Sequence, residues 1–444
     1  MNLILLTQNS TPIIGQVAWL LGKIMNGIFN LLDLIGLPNV GVAIILFTIV
    51  VNVLMMPLTI KQQKFSKLSA KMNPEIQAIR DKYKDRKDND SMLAQNQEVQ
   101  AVYAKYGVSP SGSCVQLLIQ MPILFALYKV IYSMPAYVTK IGDTFRVLAD
   151  AIIANDGGNF LQNSGVDSIA NTIKMYGKSM ENADTLSNGI IDVLNKLSST
   201  DLNAVAEHYN LLNLADQNGH MILSSGTTKG LIDIYNNFLG LNMGDSPSAL
   251  IKSAWGAEGA FGIVIGAIMI PILSMVTQWI NVKLMPQQST DSKDPQTSSM
   301  AQSMKTMNMV MPIMSAWFCF TLPSGMGLYW VAGSVVRSIQ QVVINKHIDK
   351  MNFDEIIKKN SVKSAKKLEK MKQAQERMNT YASMNTRNMQ SKAGTSSNMT
   401  EEQREEALKK ANESYKKSGT KPGSMMAKAN LVRDYNERNA KGKE

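Results

Sequence analysis

GVAIILFTIVVNVLMMPLTI, Gly41–Ile60, runs for about twenty residues without a charge, the length an α-helix needs to cross the hydrocarbon core of a bilayer. Lysines follow at once, at Lys61, Lys64, Lys67 and Lys71. An excess of basic residues at one end marks the cytoplasmic side, so the C-terminal end of this segment is expected there. Near its middle stands Asn52, an amide that must face protein or water rather than lipid. A polar position at mid-depth, turned inward, is a candidate site.

Outward from this stretch, further apolar runs lie at Val115–Met134, Phe261–Val282, Thr306–Leu322 and Gly327–Ile344. Together they predict an all-α polytopic membrane protein with five spans, the last two near the lower length limit for crossing. The mean hydropathy of −0.08 looks soluble only because it averages apolar spans with polar loops. A soluble protein of two or three domains with buried helices is the alternative reading of 444 residues.

The net charge of +11 is unevenly spread. Residues 61–109 carry about +4, the long connection 135–258 about −6, and the tail from Lys346 about +10. Basic segments belong to the cytoplasmic side, so the expected order is N-terminus outside, five spans, C-terminus inside a plasma membrane. The two cysteines, Cys114 and Cys319, fall in or beside different spans, so neither a disulfide nor a metal site is expected.

The predicted domains follow. Residues 1–40 lack a charged n-region and a small-residue cleavage site, so no removable signal peptide is expected there. Ile13–Ile35 has apolar residues at helical spacing with Gln16, Lys23, Asn26, Asn30 and Asp33 largely opposite, as in a helix lying in the outer interface; a sixth span is the competing reading. After the first span (41–60), residues 61–109 read as a cytoplasmic hairpin, with helices at Lys61–Lys84 and Ser91–Tyr106 parted by the charged Asp85–Asp90. It is either a docking surface or a plain solvated hairpin. The second span (112–134) leads to an extracytoplasmic insert (135–258), too long for a structureless loop; Ser187–Leu197 and Gly230–Leu239 in it show helical spacing. After the third span (260–282), Pro286–Ser303 within 283–305 reads as a polar cytoplasmic loop, before the fourth and fifth spans (306–345). The tail, 346–444, is too poor in large apolar residues to bury a core. It suits orientation of the chain, or binding of anionic lipid or RNA.

Several motifs then converge in order: Pro57–Leu58 after the first span, Asn73–Glu75, GSCVQLLIQMPILFALY at Gly112–Tyr128, FLGLNMGDSP at Phe238–Pro247 and FTLPSGMGLYW at Phe320–Trp330. Residues 12–134 and 236–347 resemble the YidC/Oxa/Alb-type membrane protein insertases, in the short form of Gram-positive bacteria. The resemblance implies an insertase and foldase with no catalytic residues and no cofactor. Five spans would surround a hydrophilic groove open to cytoplasm and lipid but closed outside. Nascent membrane proteins would be the substrates, received by the hairpin, for which Lys61, Lys64, Lys67 and Lys71 are the candidate contacts. The ribosome is implied as a partner of basic tails, and the Sec translocon as a partner of the whole.

The resemblance also carries a departure. Most members place an arginine five residues before the first-span proline, where this chain has Asn52. Arg337 in the fifth span should lie at similar depth, by about 1.5 Å of rise per residue from the outer ends of the two helices. It is the candidate groove charge, with Asn52 as a neutral neighbour; snorkelling to the cytoplasmic interface is the other reading. Gln120, Gln278 and Trp330 complete the candidate groove, against helix-bonding amides and an interfacial anchor as the plain alternatives. A secondary transporter is the rival function, but paired repeats with broken helices are not found.

Overall fold

The computed structural model describes residue 8 and residues 11–84, 86, 88–108, 112–256, 260–284 and 295–366, with isolated positions beyond. The side chains of 112–117, 119, 295–305 and 307 are not among those described. The expectations for residues 286–294 and for most of the tail lie outside the described residues. The chain divides into two units, Met1–Ser364 and Ala365–Glu444, and all named elements belong to the first.

Helix α1 (Ile14–Leu34) precedes α2 (Val40–Lys82). The Asn39 side chain caps α2, its Oδ1 accepting from the backbone N–H of Gly41 (2.9 Å) and Val42 (3.2 Å), which supplies the orphan donors of a first turn. The expected first span and first hairpin helix are one continuous helix of 43 residues. The sequence from Ile60 to Lys82 is mostly Lys, Gln, Leu, Ala, Met and Ile, good helix formers with no turn chemistry to interrupt them. Pro57 and Pro74 sit inside it, each removing only one ladder bond. Helix α3 (Asn89–Tyr106), capped by Asp88 and ended by Gly107 in the left-handed region, returns along α2.

Helix α4 (Gly112–Tyr132) enters the insert, which comprises α5 (Met134–Tyr137), α6 (Thr139–Asp156), α7 (Asn159–Gln162), α8 (Asp167–Tyr176), α9 (Leu186–Leu194), α10 (Ser199–His208) and α11 (Leu231–Asn236). A two-residue antiparallel pair follows, β1 (Asn237–Phe238) and β2 (Leu241–Asn242), then α12 (Pro247–Ala254). Helix formation at Gly230–Leu239 therefore stops at Asn236, because Leu239–Gly240 turns the chain back on itself. Helices α13 (Phe261–Leu284), α14 (Pro295–Thr321) and α15 (Ser324–Asp349) complete the unit. Helix α14 starts at Pro295, inside the stretch expected to be a loop; proline is favoured in a first helical turn.

The soluble reading fails on burial. Only 17% of the most apolar window of α13 is buried. Ile268, Leu273 and Trp279 on α13, with Met309, Ile313 and Trp317 on α14, are exposed. So long a band of exposed apolar side chains marks contact with lipid rather than water. The protein is an all-α, multi-span membrane protein, the two-residue pair being the one sheet among the described residues. Three described helices, α1, α2 and α13, are long and apolar enough to cross, and Gln120–Tyr132 and Asn308–Thr321 are shorter apolar helices.

Two apolar cores hold the unit. One joins Met25, Phe29, Ile44, Phe47 and Ile131 to Phe145, Ile190 and Ile222 of the insert. The other packs Leu68, Met72, Ile76 and Tyr106 of the hairpin against Ile344, Ile348 and Phe353. Phe29 is fully buried and meets Tyr235 edge-on, centroids 5.4 Å apart. Phe29→Ala is expected to cost about 3–5 kcal/mol, read as a lowered Tm in detergent micelles.

Candidate functional site

Between the two cores lies a gap. On α2 no buried apolar side chain occurs between Val51 and Leu68, and on α15 none between Met326 and Ile344. At 1.5 Å per residue each interval is about 25 Å long. The buried polar side chains there are Gln63 on α2, Gln278 and Ser274 on α13, Ser315 on α14, and Ser334, Gln340 and Gln341 on α15, with Val282 on α13 and Cys319 on α14 buried beside them.

Helix α15 organises this region, packed along α2 on one side and α13 on the other. Ser334, Arg337, Ser338, Gln341 and Asn345 recur at i, i+3, i+4, i+7 and i+11, one face of a helix. Arg337 donates from Nη2 to Ser334 Oγ (3.0 Å), and the Ser334 hydroxyl donates to Gln278 Oε1 (3.0 Å). The guanidinium thus reaches back toward the N-terminal end of α15, as helical side chains lean, and away from Lys346 at its other end. Gly333 leaves it room, since a Cβ there would lie 2.9 Å from Arg337 Nη1. Among the described ion pairs none includes Arg337.

Asn52 lies one turn further in. Its main-chain carbonyl accepts from Gln340 Nε2 (2.9 Å), while its side-chain amide donates to the Thr48 carbonyl (2.8 Å). Gln340 follows Arg337 by three residues, about 4.5 Å along the axis, so Asn52 and Arg337 share a level to within one turn without a direct bond. Deeper still, Gln63 Nε2 donates to Gln341 Oε1 (2.5 Å), and Gln341 to Asn345 Oδ1 (3.3 Å). Amides therefore join α2 to α15 at two levels.

Two candidates stand apart from this chain of bonds. Gln120, on α4, is half-buried and has no hydrogen bond among the described residues. Trp330 is half-buried and stacked on Phe318, centroids 6.3 Å apart. Of the four lysines, Lys67 pairs with Asp349, and Lys71 meets Asp354 (3.6 Å) and lies 5.3 Å from the Phe353 ring centroid. Lys61 is exposed and Lys64 half-buried. The two deeper lysines thus tie the hairpin base to the end of α15.

Sequence reasoning missed Ser334, Gln340, Gln341 and Gln63. The polar period of α15 was the available signal, masked because Gly327–Ile344 was read only for its apolar length. Cys319 is a free, buried thiol bonded to Ser274 Oγ (3.2 Å), and it helps pin α14 to α13. Among the described residues no group of three or more His, Cys, Asp or Glu is placed to hold a metal ion.

The fold and site define a multi-span helical membrane protein with a polar interior band and a positive charge within it. The sequence model of the 60Kd inner membrane protein family matches residues 31–351, most of the chain, and the protein belongs to that family. It is similar to the membrane protein insertase YidC of Oceanobacillus iheyensis, 36% identical over 126 residues, which are 28% of this chain and 46% of that one. The membrane protein insertase MisCA of Bacillus subtilis is 42% identical over 93 residues, 21% of this chain and 35% of its own. The YidC of Fusobacterium nucleatum is 39% identical over 95 residues, 21% and 44% of the two chains. In each comparison the match spans less than half the length of the relative.

Proposed function

We propose that the protein inserts substrate transmembrane segments into the bilayer, receiving them in the polar band between α2, α13 and α15 and releasing them sideways to lipid. The observation that carries this reading is the interval of about 25 Å between the apolar cores, lined by amides, serines and an arginine with no acidic partner among the described residues. Moving a charged segment through hydrocarbon costs about 2.5–3.5 kcal/mol per charge on insertion scales. A wet, hydrogen-bonding band shortens the dry path, and burial of the substrate's apolar residues in lipid drives release. Arg337 supplies the attraction for acidic outer segments, with Ser334 and Gln278 orienting it.

The N-terminus lies outside and the C-terminus in the cytoplasm, as the lysines after α2 indicate. Helix α1 lies along the outer interface. Its contacts support this placement: Gly22 meets Tyr137, the Asn26 side chain accepts from the Thr139 N–H, Phe29 meets Tyr235 and Asp33 pairs with Lys140. These four partners belong to the insert and lie along eleven residues of α1, which also packs along α4 and α2. Nascent membrane proteins are the substrates, the hairpin receives them, and the basic tail meets ribosome or anionic lipid. The Sec translocon is a companion rather than a requirement.

The test is insertion of a small single-span reporter by the purified protein in liposomes, scored by protease protection. Protection above that of empty liposomes is expected. Background protection with correctly oriented protein would overturn the proposal and restore the transporter reading.

A further inference from the structure

We propose that the β1–β2 turn is a lipid anchor, seating the outer face of the protein in the outer leaflet through Leu239 together with Leu34, Ile35, Leu37, Trp255 and Phe261. The argument starts from the turn itself. Leu239 and Gly240 are its two central residues, with φ of +52° and +81°. A two-residue hairpin loop with left-handed backbone at both positions favours Asn, Asp or Gly at the first, because a Cβ crowds the following carbonyl. Leucine is a poor residue for this turn, and its side chain gains nothing inside the protein, being 86% exposed. A side chain that strains its turn and packs against no neighbour points to a contact beyond the protein.

Position names that contact. Asn39 Nδ2 donates to the Asn237 carbonyl (2.7 Å), the Phe238 ring covers Gly41, and Leu241 covers Gly266. The turn is therefore wedged between the N-terminal ends of α2, where Leu46, Ile49, Val53 and Leu54 are exposed, and α13, which carries part of the lipid-facing band. Leu34, at the end of α1, Ile35 and Leu37, in the connection leading into α2, and Trp255 and Phe261, at the entry to α13, are all exposed. They continue the band to the level of the hairpin without a charged residue among them, as an interfacial rim does. The anchor also holds the machinery below it. The Gly325 N–H donates to the Met243 carbonyl (2.9 Å), and the Ser324 N–H to the Asp245 carbonyl (2.8 Å). The segment leaving β2 thus grips the start of α15, so the seat of the turn in lipid fixes the height of that helix.

The test places a nitroxide label at Leu239→Cys, with Cys114→Ser and Cys319→Ser, in phosphatidylcholine liposomes. Collision with oxygen is expected to exceed collision with a water-soluble nickel chelate several-fold, whereas Asn218→Cys, exposed in the insert, gives the reverse. A second variant, Leu239→Asn, supplies the residue that the turn prefers. It is expected to keep or raise Tm in micelles while a label at Leu37→Cys shifts toward water in liposomes. Water-like collisions at 239 in liposomes would overturn the anchor, and protection appearing only in native membranes would assign the turn to a protein partner instead. A lowered Tm for Leu239→Asn in micelles would also overturn it, by showing that the leucine packs within the protein.

Discussion

Arg337→Ala is expected to lower insertion of a reporter with an acidic outer segment about tenfold or more, while a reporter with a neutral outer segment changes little. The magnitude follows from one lost charge pair. At an effective dielectric of about 20 and a separation of about 8 Å, two unit charges interact by about 2 kcal/mol, which is more than a factor of ten in rate. The substitution leaves Ser334 and Gln278 bonded to each other, so the packing of α15 on α13 should survive, and an unchanged Tm would confirm it. The double variant Asn52→Arg with Arg337→Ala returns a positive charge to the same level from α2. Recovery of insertion in the double variant would mean that groove charge matters more than the helix carrying it. Full activity of Arg337→Ala on the acidic reporter would instead leave the amides and serines as the whole of the site.

How much of this was legible beforehand depends on which side chains face lipid and which face protein. The apolar runs located α2, α4, α13, α14 and α15, because a lipid-facing helix must be apolar over most of its length. The join of the first span to the hairpin was not legible. Lys61 changes the solvent around the helix without changing helix propensity, so a composition boundary is not a structural one. The two-residue β pair was hidden for a related reason: apolar spacing at Gly230–Leu239 fits a helix, and only the left-handed pair at Leu239–Gly240 ends it. In the site, Arg337 and Gln278 stood out as polar residues in apolar runs. Ser334 did not, since a serine in a span is common and only its place between Arg337 and Gln278 gives it a role.

The insert carries the second large effect, on stability. Lys196, just after α9, extends over the Tyr132 ring, 3.2 Å from its centroid, and donates to the Tyr132 carbonyl at the end of α4. Burial pushes its ammonium down to about 7, with Lys129 adding repulsion and Asp192 opposing it. An unfolded lysine titrates near 10.5, so between about pH 7 and 10.5 the unfolded chain binds more protons than the folded one. Stability must then rise with pH across that window, by about 1.4 kcal/mol per unit for one group, and level off beyond it. Asp245, which lines a cavity with Lys196 and accepts from the Ser199 N–H and hydroxyl, works in a separate window: burial raises its carboxyl, so its contribution falls as pH rises just above the ordinary carboxylate range. Thermal unfolding in micelles from pH 7 to pH 10 should therefore show Tm climbing in the native protein. Lys196→Met should raise Tm at pH 7 and flatten the climb, and Lys196→Arg, which cannot shed its charge, should lower Tm at pH 9. A slope unchanged in Lys196→Met would place the titrating group elsewhere. Lys196 and Asn195 both hold the end of α4, while Asp245 holds the start of α15, so the insert ties α4 to one wall of the polar band.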